Sequence, residues 1–172
     1  MPEIWFTSDT HFGHGGARGL FGRPFPSLAA MDNAMIERWN ATVAEDDTVW
    51  HLGDFGVRLS ESRAAALLAH LQGTKYLIAG NNDGPEIRAL SGWADVHDMA
   101  EIILAERRFV LCHYPLRAWN GQHRGAINLH GHSHGRLKPL PRQVDVGVDA
   151  WEFRPIGVAD ILERVGRRKA HP

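Results

Sequence analysis

An α/β fold carrying two sheets is expected for this chain on three observations. Short β-branched and aromatic runs recur along it, and most end directly in a polar loop bearing a carboxylate, an amide or an imidazole. Amphipathic stretches of helical length separate the first three runs, the pattern of parallel strands joined by crossover helices. The later runs lack such stretches, which points to hairpins and a second sheet. With 172 residues and 44% hydrophobic content the chain can bury one sizeable core, and residues 1–172 read as a single domain without linker, repeat or low-complexity segment.

The first strand is Ile4 to Ser8, which runs into the glycine-rich loop Asp9-Thr10-His11-Phe12-Gly13-His14-Gly15-Gly16. Gly22 to Pro26 reads as an irregular connection. Ser27 then caps a helix reaching Val43, with Met35, Ile36, Trp39 and Val43 as its apolar stripe. After a turn at Glu45-Asp46-Asp47, Thr48 to Leu52 forms the second strand and delivers Gly53-Asp54. Ser60 caps a helix through Leu71, with Ala66, Leu67 and Leu71 inward and Gly73 as its stop.

Lys75 to Ala79 is the third strand and delivers Gly80-Asn81-Asn82-Asp83-Gly84, after which Pro85 opens a short helix through Leu90. Ala94 to Met99, Glu101 to Ala105 and Arg108 to Cys112 are expected to pair as hairpins, the last ending at His113. Ala126 to His130 leads into Gly131-His132-Ser133-His134-Gly135, Gln143 to Asp149 alternates as a strand, and Val158 to Val165 is an amphipathic helix. Parallel strands present ligands beyond their carboxyl ends, so Asp9, Asp54 and Asn81 are expected to converge. His132 and His134, one residue apart on extended backbone, are expected to point the same way.

A formal charge of −1 and a pI near 6.8 leave no global basic field that would favour nucleic acid or an anionic membrane. The single cysteine, Cys112, rules out an internal disulfide framework and fits a reducing compartment; it reads as a buried strand residue. The amino-terminal stretch has neither a basic region nor the apolar length of a signal peptide or span, so the cytoplasm is the expected location. The six tryptophans are scattered and read as core and site walls.

Asp9, His11, Asp54, Asn81, His113, His132 and His134 offer seven ligands of mixed oxygen and nitrogen type, enough for two divalent ions if one carboxylate bridges. In order and spacing they resemble the calcineurin-like metallophosphoesterases, whose signature runs Asp-x-His, Gly-Asp, Gly-Asn-His-Asp/Glu, a solitary His and Gly-His-x-His. Here the five motifs read Asp9-Thr10-His11, Gly53-Asp54, Gly80-Asn81-Asn82-Asp83, His113 and Gly131-His132-Ser133-His134, across nearly the whole chain. The residues around them, such as Phe6 to His14 and Val146-Gly147-Val148-Asp149, look like the small bacterial and phage-type members.

The resemblance implies a two-sheet sandwich flanked by helices. It implies one ion held by Asp9, His11, Asp54 and His134 and a second by Asp54, Asn81, His113 and His132, with Asp54 as bridge. Manganese is the expected metal, with iron, zinc, nickel and cobalt compatible with the same ligands. The implied reaction is hydrolysis of a phosphomonoester or phosphodiester, on a small or nucleotide-like substrate, by a metal-bridging hydroxide. Asn82 occupies the place of the family's histidine, with Asp83 as its acidic neighbour; an amide cannot act as a general acid at neutral pH, which disfavours monoesters with poor leaving groups.

His14 and His123 are the candidates for contacting phosphate or replacing that proton donor, and Arg117 is a further candidate for reaching phosphate. His51, His70, His97, His130 and His171 are assigned structural or surface roles, His130 being placed to support His132. The cations Arg164, Arg167, Arg168 and Lys169 read as complements to a helix carboxyl end. The second reading is a protein-binding scaffold that keeps the fold. A zinc deaminase is disfavoured because its His-x-Glu and Cys-x-x-Cys pattern is lacking.

Overall fold

The computed structural model describes residues 1–138 and 140–169, with side chains through residue 167, so His171 and the side chains of Arg168 and Lys169 lie outside the described residues. The first strands follow the apolar runs: β1 is Ile4–Thr7, β2 is Thr48–His51 and β3 is Thr74–Ile78. They lie parallel, with Ile4 opposite Thr48 and Thr48 opposite Thr74, so their carboxyl ends emerge together. Helix α1 (Ala17–Phe21) falls in the loop after β1, where none was expected.

Helix α2 (Leu28–Thr42) starts where Ser27 Oγ accepts the Ala30 N–H, and it buries Met31, Met35 and Trp39 against β2 and β3. Helix α3 (Glu61–His70) starts where Ser60 Oγ accepts the Arg63 N–H. Its inward stripe is Ala64, Leu68 and Leu71, spaced i, i+4, i+7; Ala66 is exposed and Leu67 only half-buried. The expected phase was therefore off: on a helix Ala66 sits about 200° from Ala64, well away from the stripe that faces the sheet.

Helix α4 (Pro85–Arg88) begins at Pro85 as expected and serves as a short crossover to β4 (Trp93–His97), which lies parallel to β3. Ala94 to Met99 thus forms no hairpin. One turn of helix is long enough for the crossover, and Trp93 is buried in the helix-covered core of the first sheet. Strands β5 (Met99–Leu104) and β6 (Arg107–Cys112) do form an antiparallel hairpin, and β7 (Ile127–His130) and β8 (Gln143–Asp145) add in parallel to β6. The strand expected to reach Asp149 stops at Asp145, whose carboxylate accepts the Gly147 N–H and turns the chain into a 3-10 turn at Val148–Ala150. Strand β9 (Ile156–Gly157) pairs antiparallel with β1. Helix α5 (Val158–Lys169) follows and runs past Val165.

The result is a five-stranded sheet in the order β4-β3-β2-β1-β9 and a four-stranded sheet in the order β5-β6-β7-β8. Phe6, Leu52 and Ile78 of the first meet Phe109, Leu111, Ile127 and Leu129 of the second, with Ile161 and Val165 of α5 closing this layer. Helices α2 and α3 cover the other face of the first sheet. Among the described residues no helix is long and apolar enough to cross a membrane.

His51, at the end of β2, is buried among Trp39, Phe55 and Trp93. Its Nδ1 accepts the Gly53 N–H at 3.2 Å, so Nε2 carries the proton and donates to Thr10 Oγ1 at 2.9 Å, tying the loops after β1 and β2 together. Burial pushes its pKa down to about 3.

Two outcomes follow from this layout. Leu68→Ala should cost roughly 2–5 kcal/mol in urea denaturation, whereas Ala66→Ser should stay within about 0.5 kcal/mol. His51 binds its proton in the unfolded chain below pH 6.5 but in the folded chain only near pH 3, so its contribution is present above 6.5 and is lost as pH falls through that window. The stability of metal-free wild type should therefore fall more steeply between pH 6.5 and 3 than that of His51→Gln, by up to about 1.4 kcal/mol per pH unit. Equal slopes would show that His51 is not held neutral.

Candidate metal centre

Every candidate ligand follows a strand: Asp9 and His11 follow β1, Asp54 follows β2, Asn81 follows β3, His113 follows β6, and His132 and His134 follow β7. Five of these seven adopt left-handed backbone: Asp9 (φ 55°), His11 (50°), Asp54 (57°), His132 (67°) and His134 (49°). Such φ values are unfavourable for residues with a Cβ, so the surroundings must hold them. Asp9 N–H bonds Gly53 O at 2.9 Å and His11 N–H bonds Asp54 O at 3.0 Å.

The flanking glycines let the loops close on one another. A Cβ on Gly53 would lie 2.6 Å from both Gly80 N and His113 Nδ1. One on Gly131 would collide with Ser8 Oγ and the Asp9 carboxylate, and one on Gly80 with Asp54.

The expectation that His132 and His134 point alike does not hold. His134 stacks toward His11, with ring centroids 5.2 Å apart, while His132 approaches His113, also at 5.2 Å. The left-handed residues break the alternation of an extended strand and send the two rings to different partners.

Potential ligand atoms converge at the centre with few hydrogen-bond partners among them. His113 Nδ1 donates to Leu52 O at 2.7 Å, which leaves a lone pair on Nε2; that atom faces Asn81 Oδ1 at 3.1 Å and Asp54 Oδ1 at 3.6 Å. His134 Nδ1 donates to Asp149 Oδ2 at 2.8 Å, leaving Nε2 bare at 3.9 Å from Asp9 Oδ1. Burial holds the His11 ring neutral, and its Nε2 stands 3.4 Å from Asp54 Oδ2. His11 Nε2 and Asp9 Oδ1 are both buried and have no hydrogen-bond partner among the described residues. The ligand atoms of Asp9, His11 and His134 lie within 4.8 Å of one another, as do those of Asp9, Asp54 and His113.

Charge tells the same story. Burial, with the neighbouring carboxylates Asp145 and Asp54, raises the Asp9 carboxyl well above the usual range. Burial would raise Asp54 too, but the His11 ring and the Asn82 donors outweigh it and hold this carboxyl far below its ordinary value. Packed anions, bare imidazole nitrogens and an amide oxygen fit divalent cations, which would satisfy all of them at once.

Asn82 and Asp83, at the family's substrate-assisting positions, and His14 and His123, the candidate phosphate contacts, are placed differently. Asn82 donates to Asp54 twice, from its backbone N–H to Oδ1 at 2.9 Å and from its amide to Oδ2 at 2.7 Å. Asp83 is buried, and its carboxylate accepts the N–H groups of Asp54, Phe55 and Gly80, so it clamps the loops. His14 is half-buried with its Nδ1 3.2 Å from His11 Nδ1. His123 is exposed in the 3-10 turn Gln122–Arg124, which enters β7 at its amino end; the candidate ligands leave the carboxyl ends of β6 and β7, so His123 lies at the wrong end of the sheet to reach them. Arg117 is exposed in the loop after His113.

Sequence reading missed several supports. Arg23, within the stretch taken as irregular, is buried; it pairs with both Asp149 oxygens at 2.9 Å and donates to the carbonyls of Asp9 and Thr10. Asp149 thereby joins Arg23 to His134. Asp145 accepts from Ser133 Oγ and the Gly135 N–H and so holds the loop of the two histidines. Phe21, in the unexpected α1, stacks on His134 at 3.5 Å. Only the run into Asp149 gave any hint of these in the sequence.

Comparison with known proteins agrees with this architecture. Residues 3–144 match the family model for the calcineurin-like phosphoesterase superfamily domain. An uncharacterized protein of Methanocaldococcus jannaschii is 27% identical, over 98% of this chain and 94% of its own length. The gene 66 protein of Mycobacterium phage D29 is 31% identical, over 88% of this chain and 90% of its own. The crystal structure of a protein of unknown function from Aquifex aeolicus superimposes with a TM-score of 0.80 at 20% identity, covering 95% of this chain and all of that one, and so shares the fold. With the family model spanning all five motifs, the chain belongs to the calcineurin-like phosphoesterase superfamily.

Proposed function

We propose that this protein is a phosphoesterase that uses two divalent metal ions, manganese foremost, to hydrolyse a small or nucleotide-like phosphate ester in the cytoplasm. The observation that carries the reading is the convergence of potential ligand atoms: His11 Nε2 and Asp9 Oδ1 are buried without a hydrogen-bond partner among the described residues, and His113 and His134, each donating from Nδ1 to the protein, turn Nε2 toward the same centre. Asp9, His11, Asp54 and His134 would hold one ion and Asp54, Asn81, His113 and His132 the other. When bound, such ions activate a water and neutralise phosphoryl charge.

The chain's own groups supply positioning. Leu52 O and Asp149 fix the tautomers of His113 and His134, and the His134 ring together with Arg23 holds the Asp149 carboxyl below its ordinary value despite burial. Asp54 presents one oxygen toward His11 and the other toward His113, so it would be shared by both halves of the centre. Because the Asn82 amide has no acid proton and is bound to Asp54, the leaving group must depart without its help, which favours diesters and acidic leaving groups. His14, beside His11, is the imidazole best placed to meet the phosphate or its leaving oxygen. A protein-binding scaffold would have no use for this many aligned lone pairs, and metal content separates the two readings.

With Mn²⁺, bis-p-nitrophenyl phosphate should be hydrolysed in preference to p-nitrophenyl phosphate, and Asp54→Asn should lower kcat/KM by about 100-fold or more, as loss of a charge-stabilising group does. No turnover of either ester despite full metal occupancy would reject the generic phosphoesterase reading.

A further inference from the structure

Three of the carboxylates around the site have their oxygens satisfied in different ways. Asp145 is held by Ser133 and the N–H groups of Gly135 and Gly147, all from the surrounding loops. Asp9 takes the His132 N–H on Oδ2 and has nothing on Oδ1 among the described residues. Asp54 has each of its oxygens bonded by the same residue, Asn82. Two bonds from one residue, one to each oxygen, fix the plane of a carboxylate.

The grip is itself anchored. Asn82 is exposed, but the next residue, Asp83, is buried and binds the N–H groups of Gly80, Asp54 and Phe55, and Arg88 Nε bonds Asp83 O at 2.8 Å. The loop bearing Asn82 is thus fastened to the loop bearing Asp54. Each carboxylate oxygen offers about two lone-pair directions. Asn82 uses one on each, and the same oxygens stand 3.4 Å from His11 Nε2 and 3.6 Å from His113 Nε2.

We propose that Asn82 is a positioning residue for Asp54: its amide and its backbone N–H set the carboxylate plane so that one oxygen serves the His11 side of the centre and the other the His113 side. The amide is then committed to the protein and does not bind the substrate phosphate. This rests on the di-metal reading and deepens it, since it assigns the third motif's departure from the family pattern to assembly of the centre instead of to substrate contact.

Calorimetric titration of metal-free protein with Mn²⁺ and with Zn²⁺ separates the roles, using wild type, Asn82→Ala and a distant control, Arg124→Ala. Asn82→Ala removes the side-chain bond at an exposed position and keeps the backbone one, so it should fold like wild type by circular dichroism. Its metal affinity should drop about 10- to 100-fold, the usual effect of losing a group that orients a ligand, with the control unchanged. At saturating Mn²⁺ its KM for bis-p-nitrophenyl phosphate should stay within about twofold of wild type. Unaltered metal affinity with a raised KM would overturn the assignment and make the amide a substrate contact. Absence of metal binding by wild type itself would instead remove the di-metal reading, and this inference with it.

Discussion

The crowding of carboxylates and imidazoles at the strand ends, with too few hydrogen-bond partners to go round, is the condition on which the rest of this structure depends. The Leu52 carbonyl and the Asp149 carboxylate claim the Nδ1 protons of His113 and His134, so the opposite ring nitrogens turn inward bare. Crowding these groups is costly: burial, with the neighbouring Asp145 and Asp54 carboxylates, raises the Asp9 carboxyl. Groups of this kind stay together only if the fold over-determines their positions, and much of the chain around the strand ends does that.

The over-determination is visible in who holds whom. Asp83 fastens the loop after β3 to the loop after β2, His51 and Thr10 fasten the loop after β2 to that after β1, and Asp145 fastens the loop after β7. Arg23 reaches the backbone of Asp9 and Thr10 on one side and Asp149 on the other. Beneath them the two sheets share one apolar layer, which sets the five strand ends that bear the candidate ligands in one packed frame. Left-handed residues at Asp9, His11, Asp54, His132 and His134 are tolerable in that frame and would not be in a free loop.

The polar groups also divide by task. The residues that face the centre are few, and those that orient them, Asn82, Asp83, Arg23, Asp145 and Asp149, are nearly as many. In a site arranged this way the protein's part is geometry and charge.

Much of this was legible in the sequence, because it is decided within a few residues. Ser27 and Ser60 cap the helices they precede, Pro85 opens a helix, and Asp9, Asp54, Asn81 and His113 stand just past apolar runs, so the strand ends and the candidate ligands they carry could be read off directly. What only the tertiary structure decided involves partners far apart or backbone that composition does not announce. Arg23 meets Asp149 across 126 residues, β4 chose the first sheet over a hairpin, and the left-handed turns at His132 and His134 sent neighbouring rings to opposite sides of the centre. Local spacing fixes which groups arrive at the strand ends; long-range packing alone fixes which way they face when they get there.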